Sequence, residues 1–391
     1  MRILITNFHP KRSGGHLTYI LTLLKLQKEY KDIQIAVAVP KKSDIYERLE
    51  SQNYPLLFDC DFPAKIQKEP LEIIKSIKRF REILRDFKPE IIHTNGGADL
   101  FIVTFSTIFS DKYHIVRTHH AIKKIPKDFY HKWIYQKKVT KNIYVSNSAF
   151  LLSLKLGSLQ PKGVAVIPNG VDTKFFSPKP KNRELLKKFN IPEDAFCFGS
   201  CAGTANYKRV DIIIKSAEIL KKNLKKPFVI VVIGEESAGR RLEKLAKDLG
   251  VDEFKFCGHQ SDVRDFISLF DVGFILSDRI ETISYASREM LSMGKPLISS
   301  NYSGLKENIE DRENGLLVEA GDVENTAEAM KFFMELEKDE YLKFSKRARE
   351  IAIEKFGIKT QLKKQFNLYR DILEADKMLE KIYKELKKDA D

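Results

Sequence analysis

Short runs of apolar, β-branched residues alternate with longer amphipathic stretches along most of this chain, and that rhythm leaves few folds open. Residues 3–6, 33–39, 91–94, 114–118, 142–146 and 164–167 read as strands. Most lack internal polar alternation, as strands covered on both faces do. Residues 17–26 and 72–87 between them have helical spacing. A proline-broken polar stretch at 177–183 then interrupts the pattern, since it can continue neither a helix nor a central strand. Beyond it the rhythm resumes, with strands predicted at 196–200, 228–233, 254–256, 272–276, 296–299 and 315–318, and helices at 210–221, 239–249 and 323–336. The reading is an α/β chain of two Rossmann-like domains, each with a parallel, doubly wound sheet. Its boundaries are 1–170 for the first domain, 171–190 for a linker, 191–355 for the second domain and 356–391 for C-terminal helices, the first of which packs back on the N-terminal domain. A very charged tail runs from Leu373 to Asp391.

A chain of 391 residues, 43% hydrophobic, is long and apolar enough to bury two cores. Its formal charge of +14 is unevenly placed: residues 1–170 hold 28 Lys and Arg against 15 Asp and Glu, whereas the remainder is nearly balanced. Such a field attracts an anionic acceptor, an anionic membrane or nucleic acid, and equally describes a solvated lysine-rich surface. Cys60, Cys197, Cys201 and Cys257 are scattered without paired spacing, so neither a disulfide framework nor a zinc site is indicated and a cytoplasmic setting fits. The N-terminus enters a strand-like run directly, and no stretch reaches the roughly 18–20 apolar residues a spanning helix needs. Any membrane is therefore met from one side.

The sharpest local pattern is Glu281-Thr-Ile-Ser-Tyr-Ala-Ser-Arg-Glu289, directly after the strand at 272–276 and before Gly294-Lys-Pro296. Residues 284–293 read as a helix stopped by Gly294, with Glu281 in the preceding loop and Glu289 in the second turn. The amides of Thr282, Ile283 and Ser284 are then expected to open the helix as an anion site suited to a pyrophosphate. Carboxylates do not help phosphates. They suit sugar and ribose hydroxyls, from which they accept hydrogen bonds.

Together with Gly14-Gly15-His16 after the first strand, Val166-Ile-Pro-Asn-Gly-Val-Asp172 between the halves, and Glu313-Asn-Gly-Leu-Leu-Val318 before Gly321-Asp322, this pattern resembles retaining glycosyltransferase family 4, from Gly14 to about Asp322. The resemblance implies a GT-B fold, with two sheets facing an interdomain cleft and a nucleoside-diphosphate sugar as donor. It further implies that Glu281 holds the donor sugar, that Glu289 binds the ribose, and that Lys208 in Asn206-Tyr-Lys-Arg-Val-Asp211 neutralises the leaving diphosphate. Gly14 and Gly15 match the glycine-rich loop where backbone approaches diphosphate or acceptor. His120 matches a histidine close to the anomeric carbon. His119, His93 and His16 are further candidates for contacts with the acceptor. The arginine usually found about five residues before the lysine is replaced by Gly203, so Arg209 is the candidate substitute. Ser303 stands where the family has a glycine near the nucleotide.

Asp59-Cys-Asp61 is the nearest approach to a metal-binding pair and lies away from the donor motifs, so no metal and no cofactor are expected. The expected acceptor is a glycan or lipid-linked glycan of the cell envelope, such as a lipopolysaccharide core. The basic run Lys75-Ser-Ile-Lys-Arg-Phe-Arg-Glu-Ile-Leu-Arg85 either touches an anionic membrane surface or packs its apolar face on the sheet. Two other readings compete: a sugar-nucleotide 2-epimerase, which needs acid/base carboxylates in the first domain, and a nucleic-acid-binding protein, for which no recognition element appears.

Overall fold

The computed structural model describes residues 1–11, 14–63, 65 and 68–388, with the side chains of Ser237 and residues 379–388 outside the description. The last three residues of the charged tail, and the side chains of its distal part, therefore lie outside the described residues.

Two compact units are present: residues 1–167 with 361–391, and residues 168–360. In the first, β1 (Arg2–Thr6), β2 (Gln34–Val39), β3 (Leu57–Asp59), β4 (Ile91–Thr94), β5 (His114–His119), β6 (Val139–Tyr144) and β7 (Val164–Val166) form a parallel sheet in the order 3-2-1-4-5-6-7. In the second, β8 (Phe196–Ser200), β9 (Phe228–Val232), β10 (Phe254–Phe256), β11 (Val272–Ile275), β12 (Leu297–Ser300) and β13 (Gly315–Val318) run 10-9-8-11-12-13. Each order reverses once, between β1 and β4 and between β8 and β11, and at such a reversal the loops leaving adjacent strands diverge and leave a crevice.

Burial explains why the apolar runs become central strands. Residues 3–5 and 35–39 are fully buried. In the second sheet Val229 and Val231 point into one apolar cluster while Ile230 and Val232 point into another, so one strand fastens both layers. Three short elements escape a periodicity reading. β3 has only three residues, the helix Arg183–Lys188 six, and the π-helical turn Ile134–Lys138 five. The strand expected at 142–146 starts earlier and ends at Tyr144, because Ser146 leaves the sheet to cap the helix Asn147–Lys155, accepting from the Ala149 amide at 3.0 Å.

Residues 171–190 are no free linker. Val171 bridges Gly357, and Leu186 of the helix Arg183–Lys188 is buried in the second unit's core. The helix Ile358–Lys388 belongs to the first unit from Gln361 onward, where Phe366 stacks on Tyr30 at 3.8 Å between ring centroids.

Candidate active site

In the second unit the loop after β8 and the loop after β11 flank the sheet's reversal, and they bring together residues distant in sequence. The Lys208 ammonium donates to the Glu281 carboxylate, and the two side chains are only 12% and 13% exposed. Ser277 Oγ donates to the same carboxylate at 3.4 Å, and Lys208 also lies 5.1 Å from the Tyr207 ring centroid. The Glu289 carboxylate has no hydrogen-bond or ion-pair partner among the described residues, and burial pushes it up to about 7. A half-buried carboxylate in that condition is an acceptor awaiting donors.

The helix bearing Glu289 spans Tyr285–Ser292, one residue later than expected from sequence. Ser284 is its N-cap with φ +52° and supplies no side-chain cap. The first-turn amides of this helix therefore begin at Ser284 and receive no cap from its side chain. Thr282 and Ile283, expected to present amides from the helix N-terminus, instead belong to a buried loop. It is pinned by Asn308 Nδ2, which donates to the Ile283 carbonyl at 2.7 Å. Ile280, Ser284, Ser303 and Arg209 all adopt positive φ without being glycine, a concentration of backbone strain of the kind found at ligand-binding loops.

Arg209 does not stand in for the missing arginine as a free phosphate ligand. Its Nε and Nη2 donate to Asp211 at 3.0 and 3.2 Å and its Nη1 to Asp278 at 2.8 Å, so two carboxylates already satisfy the guanidinium. Gly203 has φ +86° with open space around it, and an arginine there would be strained in backbone rather than crowded. Gly234 has a different constraint: a Cβ would come within 2.5 Å of Thr204, whose hydroxyl accepts from the Glu235 amide at 3.1 Å.

Arg288, between the two glutamates, was not singled out by sequence reasoning. It is fully buried, donates through Nε to Asn308 Oδ1 at 3.0 Å and through Nη1 to the Asn169 carbonyl, and lies 4.2 Å from the Phe356 ring centroid. It ties the Asn169-Gly170 turn to the helix Tyr285–Ser292. No local pattern distinguishes it from a solvated helical arginine.

In the first unit the loops after β1, β4 and β5 converge. His16 lies in the first turn of the helix Gly15–Leu24, whose N-cap Gly14 has φ +52° and ψ −124°, a conformation that requires glycine, and offers no side-chain cap. The His16 ring lies 4.1 Å from that of His120, and Tyr19 meets His120 edge-on at 4.7 Å. His120 donates from Nε2 to Asn95 Oδ1 at 2.8 Å. Burial, then the neighbouring imidazole and the Arg117 guanidinium, hold both histidines well below their ordinary range.

The other two expected acceptor-contacting histidines are structural. His93 is fully buried, with Nε2 2.6 Å from Thr118 Oγ1 and Nδ1 hydrogen-bonded to Tyr369 of the C-terminal helix, so both ring nitrogens are spent inside the unit. His119 is buried beneath Tyr144, whose ring stacks at 4.3 Å, with Nε2 3.1 Å from Asn142 Oδ1. Strand alternation separates His119 from His120. Asp59 Oδ1 accepts from the Lys41 amide at 3.0 Å, and among the described residues no three His, Cys, Asp or Glu side chains form a group that could hold a metal ion.

Residues 13–175 match the family model Glycosyltransferase Family 4, and residues 181–351 match Glycosyl transferases group 1. An Escherichia coli relative, UDP-Gal:alpha-D-GlcNAc-diphosphoundecaprenol alpha-1,3-galactosyltransferase, is 24% identical over 316 residues, covering 77% of this chain and 80% of its own. The lipopolysaccharide core biosynthesis glycosyltransferase LpsE of Rhizobium meliloti is 36% identical over 100 residues, 25% of this chain and 29% of its own. Among solved structures, a glycosyltransferase from Rickettsia africae superposes with a TM-score of 0.84 at 20% identity, covering 95% of this chain and 98% of that one. Anabaena HepE in complex with UDP-glucose gives 0.77 at 18% identity, covering 95% and 100%. These likenesses show the fold to be GT-B, and the two family matches follow one another along nearly the whole sequence. The chain is a glycosyltransferase, a member of Glycosyltransferase Family 4 whose second unit is of the Glycosyl transferases group 1 type.

Proposed function

We propose that this glycosyltransferase moves a hexose from a nucleoside-diphosphate sugar to a lipid-linked or lipopolysaccharide-type glycan, with retention of anomeric configuration and without a divalent ion. The observation that carries the reading is the Lys208–Glu281 pair beside an uncapped helix N-terminus. An arriving diphosphate competes for the ammonium, and the released carboxylate becomes an acceptor for sugar hydroxyls. The same cation then neutralises charge on the departing diphosphate, a service otherwise supplied by a metal. Glu289 accepts from the ribose hydroxyls.

Retention is assigned to front-face attack. Asp99, beside the Asn95 that meets His120, is fully buried and accepts from Thr6 Oγ1 at 2.8 Å and the Asn95 amide at 2.7 Å, a poor position for a nucleophile. A glycosyl adduct on a carboxylate, trapped and located by mass spectrometry, would overturn this assignment. The acceptor class is supported by the activities of the relatives and by the basic first half. On the helix Pro70–Phe87, Ile73, Phe80, Ile83 and Leu84 face the core, while Leu71 and Ile74 are exposed beside Lys75 and Lys78, which suits peripheral contact with anionic headgroups at the cytoplasmic face. Co-sedimentation with vesicles that ignores their anionic content would remove the membrane contact.

Thermal stabilisation by a panel of UDP-, GDP- and ADP-sugars, followed by hydrolysis assays with the hits, tests the donor directly. One donor class is expected to stabilise the chain and to be slowly hydrolysed. Absence of any stabilisation across the panel would defeat the proposal.

A further inference from the structure

Five fully buried polar side chains of the first unit, drawn from four separate elements, are joined in one hydrogen-bonded chain. Tyr369, on the helix Ile358–Lys388, is bonded through its hydroxyl to His93 Nδ1 in β4. His93 Nε2 lies 2.6 Å from Thr118 Oγ1 in β5, and that oxygen lies 3.0 Å from the Tyr19 hydroxyl on the helix Gly15–Leu24. The Tyr19 hydroxyl donates to Gln365 Oε1 at 3.4 Å, which returns the chain to the helix on which it began. Gln365 and Tyr369 stand four residues apart and so share one helix face. Burial keeps His93 neutral and both tyrosine hydroxyls protonated, so the chain bears no charge.

The chain also touches the histidine cluster at the strand ends. The ring of Tyr19 meets the His120 ring edge-on at 4.7 Å and the His93 ring at 6.0 Å. Apolar packing alone tolerates a small slide or rotation of a docked helix. Buried hydrogen bonds do not, because each one broken leaves a group unsatisfied where no solvent replaces the partner. We infer that Gln365 and Tyr369 are positioning residues for His120 and act through Tyr19: the docked C-terminal helix fixes the tyrosine ring, and the ring fixes the imidazole. The effect on rate rests on the reading that His120 serves sugar transfer, whereas the positioning itself does not.

The test is a long-range proton–nitrogen correlation spectrum of the full chain labelled with 15N-histidine, with the signals of His93 and His120 identified by their loss in His93→Gln and His120→Gln. Tyr369→Phe removes one hydroxyl and keeps the ring. It is expected to move the signals of both histidines and to lower kcat about 10-fold, with Kd for the free nucleoside diphosphate within about twofold of wild type. Tyr19→Phe should act likewise, and the double variant should be no slower than Tyr19→Phe alone, because both changes break the same chain. A merely structural contact would move His93 and leave His120 in place. Unchanged His120 signals in Tyr369→Phe therefore overturn the inference, as do rate losses that multiply in the double variant. Should Tyr369→Phe fail to fold, Gln365→Met cuts the chain at Tyr19 and is judged by the same His120 signals. Shifted His120 signals together with normal turnover by His120→Gln support the positioning and overturn only the catalytic reading of His120.

Discussion

Lys208 and Glu281, 73 residues apart, form an ion pair in which each side chain is largely withdrawn from solvent. The two residues should therefore respond oppositely to ligand. Glu281→Ala leaves the Lys208 ammonium uncompensated and is expected to tighten binding of the free nucleoside diphosphate several-fold, whereas Lys208→Ala should weaken it. Both changes should lower kcat by about 10²–10³. Calorimetric titration with the diphosphate and single-turnover rates check this. Equal shifts in affinity for the two variants would show that the pair does not gate the donor.

Burial raises the Glu289 carboxyl to about 7, against an ordinary value of 4.5. A group raised in the folded state favours folding in its protonated form, so this stabilisation is present below about 4.5 and is lost as pH rises through 7. Glu289→Gln should consequently raise the melting temperature more at pH 8 than at pH 5. If the carboxylate accepts ribose hydroxyls, donor binding by the wild-type chain should weaken as pH falls through 7, and that dependence should vanish in the variant. Melting curves and donor titrations between pH 5 and 8 separate the two effects.

His16, His93 and His119 are held at about 3, and His120 is also far below 6.5, in each case first by burial. The unfolded chain takes up protons below about 6.5 that these four folded histidines refuse, so stability falls as pH drops from 6.5 toward 3. Glu289, Asp61 and Asp99, all raised first by burial, work in the opposite direction, but they are three groups against these four histidines and His9, which burial also lowers. The melting temperature is expected to fall between pH 7 and pH 5, with a shallower slope in His93→Gln. A flat profile would mean that the buried histidines are hydrated in solution.

Ser303 has φ +47°, and its buried Oγ has no hydrogen-bond partner among the described residues. Ser303→Gly relieves the left-handed strain and removes the orphan hydroxyl, partly offset by the added freedom of the unfolded chain. A net gain of about 1 kcal/mol is expected, read from urea denaturation midpoints. A loss of stability would mean that the hydroxyl is satisfied by water.

Much of the architecture was open to sequence reading because it is local. Unbroken apolar runs mark β1, β2 and β9, while a glycine stop and the spacing of two glutamates mark the helix carrying Glu289. β3 and the helix Arg183–Lys188 are shorter than any periodicity can register, and Ser146 traded its strand position for a helix cap. At the candidate site, the pairing of Lys208 with Glu281 was expected only as a shared neighbourhood. The roles of Arg209, Arg288 and His93 could not be foreseen at all.

The sequence by itself determined that this chain would fold as two doubly wound units, that carboxylates and a lysine would leave the strand ends of the second, and that its order of motifs is that of the glycosyltransferase family. Tertiary structure alone decided which polar groups remain available. His93 and His120 are the same residue type at neighbouring strand ends, yet one is spent on Tyr369, 276 residues away, and the other faces His16. A strand buried on both faces shows itself in a few consecutive apolar residues. A side chain's availability depends on every group the fold brings within hydrogen-bonding distance, and for Arg209 and Arg288 those groups include Asp278 and Asn169, 69 and 119 residues away in the chain.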